Sequence, residues 1–495
     1  MGSGGCKVAI LDSEGNVVSS AYQEYQTNHP HPGWDEQDPR SWTKALASVI
    51  DSAAVKCGIN KNNIMAMALS GATHGFILTD HKGIPLRPCI IWTDSRSTKQ
   101  ARRLNDQYGD DIFRITLHQP NVHWTLPQLM WVMDNEPHLF KKANKLMMVK
   151  DYMRYILTGT CGTDWMDAHG TLLFDVPRRQ WSDEICKFAG IEKVILPEVS
   201  EPTKIVGMVT EEAASIFNLP AGIPVAMGTT DQAAEALASG ALSPGQGIIK
   251  LATAGNVAIV SHEPHPRKPD IYAYYHIIPE YWYVLTGTVC CAECYRWLRD
   301  LLYEGELYKP EYEGFNVYEA MDHLASNQSV GSERLIFYPH LNGTLSDPSH
   351  RGVFCGIGKN HGKAHFIRAV LEGVAFSIYD CIQALENINV KINDLMIIGG
   401  GAKGNLWPQI ICDVSGKKLQ RPSFSDSSVG SAILAGVAVG IFSNIYEGAR
   451  LINRNCRKEF IPNIKNNQFY MEIYQIYKKI ETSLQESFTR LSQLN

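Results

Sequence analysis

The chain has 495 residues and a net charge of −5, from 46 Lys and Arg against 51 Asp and Glu; that length exceeds what one hydrophobic core supports, so two or three domains are expected. Acids and bases are interspersed, which argues against a nucleic-acid binder with its basic face. The longest apolar stretch, residues 431–442, is rich in Ala and Gly and well short of the ~20 residues of a membrane span, and the twelve cysteines are scattered without a framework, the pattern of reduced thiols in a cytosolic protein.

In chain order, the glycine turn Gly2-Ser3-Gly4-Gly5 opens a strand–turn–strand unit, with strands over 7–11 and 17–25 joined through Asp12-Ser13-Glu14-Gly15-Asn16. Residues 39–58 have the spacing of an amphipathic helix ended by Gly58. Residues 64–71 read as a buried strand running into a glycine, and the section from about 95 to 225 mixes helices with loops. Near 225 the pattern restarts: a strand enters the polar turn Gly228-Thr229-Thr230-Asp231, a small-residue helix follows over 232–242, and residues 247–264 spell strand, Thr/Gly turn, strand. This second hairpin mirrors the first, and two related domains explain the repeat better than a solenoid. The last third keeps the α/β alternation, with a helix over 365–385, strand, glycine loop and helix over 394–416, and a terminal helix over 467–491 with its aromatic residues in one stripe.

Three turns of small residues, 2–5, 252–256 and 399–405, follow or join strands. Such turns let backbone N–H groups converge on phosphate oxygens without a Cβ in the way, although tight hairpins also need glycine. The loop 399–405 is neither a Walker A loop nor a clean dinucleotide fingerprint. Asp231, between a strand end and a helix start, has two readings: an N-cap, or a general base that takes a hydroxyl proton during attack on a γ-phosphate. His74, after the strand 64–71, suits either a core histidine or a hydrogen-bonding group for a polyol. Trp92, Asp94 and Arg96 suit either a sugar wall or a surface salt bridge. Cys290, Cys291 and Cys294 read as a structural helix start, with a redox or metal role as the alternative. Asp164 and Asp167 read as members of a structural loop, and His29 and His31, spaced by prolines, as a rigid extended segment.

Taken in order, the stretches 29–42, 70–96, 125–132, 149–159, 164–182, 228–246, 338–357 and 398–416 resemble the FGGY carbohydrate kinases, most of all the branch that phosphorylates xylulose. The resemblance implies an α/β fold of two actin/hexokinase-like domains of ribonuclease-H type with a cleft between them. It implies a sugar-binding domain over 1–234, an ATP-binding domain over 235–466, and a helix over 467–495 that packs back on the first domain. ATP and Mg²⁺ are the implied cofactors. The implied activity is phosphorylation of a sugar hydroxyl, with D-xylulose converted to D-xylulose 5-phosphate. Thr73 and the Thr229-Thr230 pair depart from the family pattern at the sugar, so gluconate, ribulose, glycerol or an autoinducer-type furanone is the alternative.

Carried over residue by residue, Asp231 falls on the family's catalytic base. Thr73, His74, Trp92, Asp94 and Gln232 fall on substrate-binding positions. Ser3 and Lys7 fall in the first phosphate loop, Thr253 and Gly255 in the second, and Gly400, Gly401 and Asn405 in the loop that holds adenosine; no direct metal ligand is carried over. In the family a strand ending in Asp precedes the first loop, whereas here Met1 stands directly before Gly2 and Ser3. A start set too late or a trimmed chain accounts for that text, and a real loss with impaired catalysis is the rival expectation. The partners expected are a small sugar and ATP, without nucleic acid or membrane, in the cytoplasm, with a homodimer as the candidate assembly.

Overall fold

The computed structural model describes residues 1–265, 270–303, 316–454 and 458–494. They fall into two compact units, one of residues 1–242, 273–282 and 423–455, the other of residues 243–272, 283–422 and 456–495. Each unit is assembled from separate stretches of chain.

In the first unit the strands Gly5–Leu11 and Val17–Glu24 pair antiparallel, and the Asp12 carboxylate closes their turn by accepting the Glu14 and Asn16 amides at 3.0 and 2.8 Å. The helix Pro39–Cys57 begins where Asp38 caps the Arg40 amide and ends at Gly58, whose φ of 64° is the left-handed cap that glycine adopts without strain. Its apolar stripe, Trp42, Leu46, Val49, Ile50 and Ala53, is buried in one core with Cys6, Ala21, Leu69 and Val225. Ser70–Gly71 pairs in parallel with Thr229–Thr230, and a separate sheet orders Glu36–Gln37, Cys89–Ile90, Phe76–Thr79 and Lys145–Met148.

The strand expected over 64–71 forms a ladder only at its end, Ser70–Gly71, with a single bridge from Met67 to Val225. Residues 63–70 instead line a hollow of about 360 Å³, together with Val8, Ile10, Leu46, Ala432 and Phe442. Along the hollow no described strand supplies the continuous row of partners that a ladder requires.

The second unit is built on a sheet, five of whose strands stand in the order Gly255–Ser261, Gln246–Leu251, Asp394–Ile398, Leu419–Arg421, Lys458–Phe460. The first pair is an antiparallel hairpin, and Gln246–Leu251, Asp394–Ile398 and Leu419–Arg421 are parallel neighbours. The long helix Lys363–Glu386 is buried along most of its length. The terminal helix, Ile464–Ser492, corrects an expectation: it belongs to this second unit rather than packing on the first. Its Tyr470 hydroxyl donates to Glu372 at 2.8 Å and accepts from Arg368 at 3.1 Å, all three groups buried, and Tyr477 packs against Tyr338. The aromatic stripe was legible in the sequence; which surface it covers was not. No helix among the described residues is long and apolar enough to cross a membrane.

Candidate active site

The parallel pairing of Ser70–Gly71 with Thr229–Thr230 sets two strand ends side by side. Thr73 and His74 follow one, Asp231 and Gln232 the other. Carboxyl ends of adjacent parallel strands are where α/β proteins bind ligands. The glycine turn lies against the same edge, since Met1 donates its amino group to Ser70 O and accepts the Ala72 amide, both at 2.8 Å. Tyr25 donates to Gly2 O and steadies that turn. Burial above all, then the Cys6 thiol and the Asp231 carboxylate, holds the Tyr25 phenol well above its usual range.

Asp231 does not itself hold the N-cap position. Thr230 is the N-cap of the helix Asp231–Ser239, its hydroxyl accepting the Ala233 amide. Asp231 is the first helical residue, half-buried, with Oδ1 accepting the Gln232 amide at 2.8 Å.

His74 stands at φ 70°, a left-handed conformation uncommon for a residue with a Cβ and more frequent at functional sites. Its Nδ1 lies 2.8 Å from Gly170 O, and its own carbonyl accepts the Thr125 hydroxyl. Burial, opposed by the Gly170 contact, pushes its pKa down to about 4. The imidazole is therefore neutral at pH 7, with Nδ1–H donating to the carbonyl, which makes Nε2 an acceptor for a hydroxyl proton. Trp124 packs edge-on at 4.6 Å and Tyr274 lies at 6.4 Å between ring centroids. Neither ring was singled out from sequence, because nothing local marks a residue 50 or 200 positions away as a neighbour.

Of the expected wall, Trp92 is 38% exposed and its indole N–H donates to Ser3 Oγ at 2.8 Å, which brings a sugar candidate and a phosphate-loop candidate together. Asp94 is placed differently from the expectation that it reaches substrate. It is fully buried, bonded by the Arg96 guanidinium at 3.0 Å on one oxygen and at 2.7 and 2.9 Å on the other, and accepts the Asp35 amide at 2.7 Å. Arg96 is itself stacked 3.9 Å over Trp34 and paired with Glu36. Asp94 thus shapes the wall from behind. Lys7 also departs from expectation: it lies within the strand Gly5–Leu11 and pairs at 3.0 Å with Asp426, the residue before the helix Ser427–Ala438.

Under this edge lies a buried cluster that takes in Asp164 and Asp167, the pair that reads from the sequence as part of a structural loop. Lys150 Nζ is 2.6 Å from Asp151 and 2.9 Å from both Asp164 and Asp167, and Arg154 meets Asp151 at 2.9 Å. Burial disfavours the Lys150 charge, but the three carboxylates more than offset it, so the ammonium persists above its ordinary range. Burial is also the main cause at Asp167; Lys150 opposes it, Asp164 and Asp151 reinforce it, and its carboxyl is pushed up to about 8. The folded state therefore keeps a proton that the unfolded chain releases near pH 4. The associated stability is complete below that pH and is lost as pH rises to about 8. Melting curves from pH 5 to 9 should show the wild type losing stability relative to Asp167→Asn up to about pH 8, with a constant difference above; a difference that grows in favour of the wild type with pH contradicts this.

In the second unit the parallel strands Gln246–Leu251 and Asp394–Ile398 end together, so the turn 252–254 and the loop 399–405 emerge side by side. Gly399 has φ 96°, and a Cβ there would stand 2.5 Å from Leu251 O. Thr253 is exposed; its carbonyl accepts the Cys291 amide at 2.9 Å and its hydroxyl accepts from Arg296 at 3.3 Å. Gly255 is buried, with space only for hydrogen: a Cβ would lie 3.0 Å from Cys291, Thr288 and Ile378. Gly400 and Gly401 form a 3₁₀ turn, and Asn405 starts the helix Leu406–Ser415. Arg421 binds the carbonyls of Ala402, Lys403 and Gly404 at 2.7 to 2.8 Å and Asn405 Oδ1 at 3.3 Å. Three carbonyls of the loop are thus gathered on one guanidinium. An Arg in a short strand after the loop was the available signal, and it is too common to read alone. Cys291 immediately precedes the helix Ala292–Tyr303, and Cys294 Sγ donates to Pro339 O at 3.1 Å.

One unit thus carries a carboxylate and polyol-type hydrogen-bonding groups at paired strand ends, and the other a glycine turn and glycine loop at paired strand ends. That is the two-domain actin/hexokinase-like class of sugar kinase. The N-terminal domain of the FGGY family of carbohydrate kinases matches residues 1–238 and the C-terminal domain matches residues 249–439. The chain belongs to this family. It is 31% identical over 500 residues to the xylulose kinase of Lactococcus lactis, covering 100% of this chain and 98% of that protein. It is 30% identical over 492 residues to the xylulose kinase of Staphylococcus epidermidis, covering 97% and 95%. A solved xyloylose kinase from Brucella ovis superposes with a TM-score of 0.87 at 28% identity over 98% of each chain.

Proposed function

We propose that this sugar kinase transfers the γ-phosphoryl group of ATP to the terminal hydroxyl of D-xylulose, giving D-xylulose 5-phosphate, with Asp231 as general base. The observation that supports this reading best is the parallel pairing of Ser70–Gly71 with Thr229–Thr230, so that the strand leading to Thr73 and His74 ends alongside the strand leading to the half-buried Asp231. Asp231 accepts the hydroxyl proton as the oxygen attacks phosphorus. His74 Nε2 accepts a sugar hydroxyl, with Thr73, Trp92 and Gln232 completing the binding edge, Asp94 holding Arg96 behind it, and Ser3 standing in the first phosphate turn. The turn at Thr253 and Gly255 offers its amides to phosphate, and Gly400, Gly401 and Asn405 hold the nucleoside. Magnesium keeps several waters and takes one or two carboxylates with phosphate oxygens. Asp231 is assigned as the base and not as its ligand, and the ion, when bound with the nucleotide, would neutralise charge on the phosphates.

The test is ADP release across a panel of xylulose, ribulose, gluconate and glycerol. Xylulose should lead in kcat/KM by about tenfold or more. A different leading polyol overturns the substrate, and absence of sugar-dependent ADP release overturns the reading as a whole. Arg421→Met removes several charge-assisted hydrogen bonds to the nucleotide loop and should raise KM for ATP about tenfold with little change in KM for sugar. An unchanged KM for ATP would detach the loop from nucleotide binding.

A further inference from the structure

The turn that carries Asp231 rests on buried charge that the proposed chemistry does not use. Lys150 Nζ makes an ion contact with Asp164 Oδ1 at 2.9 Å. The other oxygen of Asp164 accepts the Thr229 hydroxyl at 3.1 Å and the Met166 amide at 3.2 Å. Lys150, Asp164 and Thr229 are all fully buried. Thr229 is paired with Ser70 and lies two residues before Asp231. The Lys150 main chain also closes on the partner strand, since a Cβ at Gly71 would stand 2.8 Å from Lys150 N. One ammonium therefore anchors, through a single carboxylate, the strand that delivers Asp231, and its backbone abuts the strand that delivers Thr73 and His74.

We infer that Lys150, acting through Asp164 and the Thr229 hydroxyl, is a positioning residue that fixes where the Asp231 carboxylate meets the sugar hydroxyl. The inference rests on the reading of Asp231 as base. A buried ion cluster is a weak source of net stability. The hydrogen bonds that Asp164 accepts from Thr229 and Met166 are nevertheless directional, and a displacement of about 1 Å at a reacting group costs about a hundredfold in rate. The Thr229 hydroxyl carries this link to the strand: it is the side-chain donor bonded to Asp164, and it sits where the ladder ends and the catalytic turn begins.

Thr229→Val keeps the shape and the strand preference of the residue and deletes the donor. Its kcat should fall about 10- to 100-fold with KM for sugar within about twofold, because the sugar-binding groups are untouched, and Thr229→Ser should recover kcat to within about threefold of wild type. A purely structural role would not split kcat from KM or be rescued by the hydroxyl alone. A Thr229→Val kcat within about twofold of wild type overturns the inference, as does a loss that Ser does not restore. If Val does not fold, Thr229→Ala is judged by the same criteria. Asp231→Asn assayed alongside separates the two readings: full activity there overturns the base assignment itself, whereas an inactive Asp231→Asn with an active Thr229→Val overturns the positioning role alone.

Discussion

Asp231→Asn is expected to lower kcat for sugar phosphorylation about a thousandfold while sugar affinity stays within about twofold. The amide matches the carboxylate in shape, and Asn Oδ1 can still accept the Gln232 amide that Asp231 accepts at 2.8 Å. The helix keeps its cap, because Thr230 supplies it. What the substitution removes is a site for the hydroxyl proton and a negative charge beside the reacting oxygen. Calorimetric titration of the sugar together with steady-state turnover reads both quantities. Equal loss of affinity and turnover would mean that Asp231 only shapes the pocket.

The largest effect on stability is expected from Lys150→Met. The replacement fills similar volume but strips the ammonium from Asp151, Asp164 and Asp167, leaving Arg154 on Asp151. Breaking a buried ion pair by deleting one partner costs about 3–5 kcal/mol, because the uncompensated charge stays buried. The first unit should unfold at markedly lower urea concentration, and adding Asp164→Asn should recover part of the loss, since one of the stranded charges is then absent. A midpoint equal to wild type in Lys150→Met would mean that the carboxylates do not need the ammonium.

Local chemistry was legible in the sequence, and long-range burial was not. The helix Pro39–Cys57 was readable because Gly58 and the spacing of Trp42, Leu46, Val49 and Ala53 are local signals. The hairpins and the strand–loop–helix over 394–416 were readable for the same reason. The strand over 64–71 was over-read, because apolar residues beside a hollow have the same composition as residues in a ladder. The terminal helix announced an apolar face, but its docking depends on Glu372 and Arg368, about 100 residues away. At the site, Asp231 and His74 stood out as polar residues after apolar strands. Lys150 did not, because a lysine in the first turn of a helix is ordinarily solvated, and only the convergence of Asp164 and Asp167 from another segment explains its burial. Asp94 shows the converse: a carboxylate beside Trp92 reads as a ligand group until Arg96 is seen to occupy both its oxygens.

The most direct measurement is phosphorus NMR of this chain with D-xylulose and Mg-ATP. The account predicts one new phosphomonoester on the primary alcohol, formed in step with ADP by the wild type and absent with Asp231→Asn. Inorganic phosphate as the only product, or an undiminished phosphomonoester with Asp231→Asn, would contradict it.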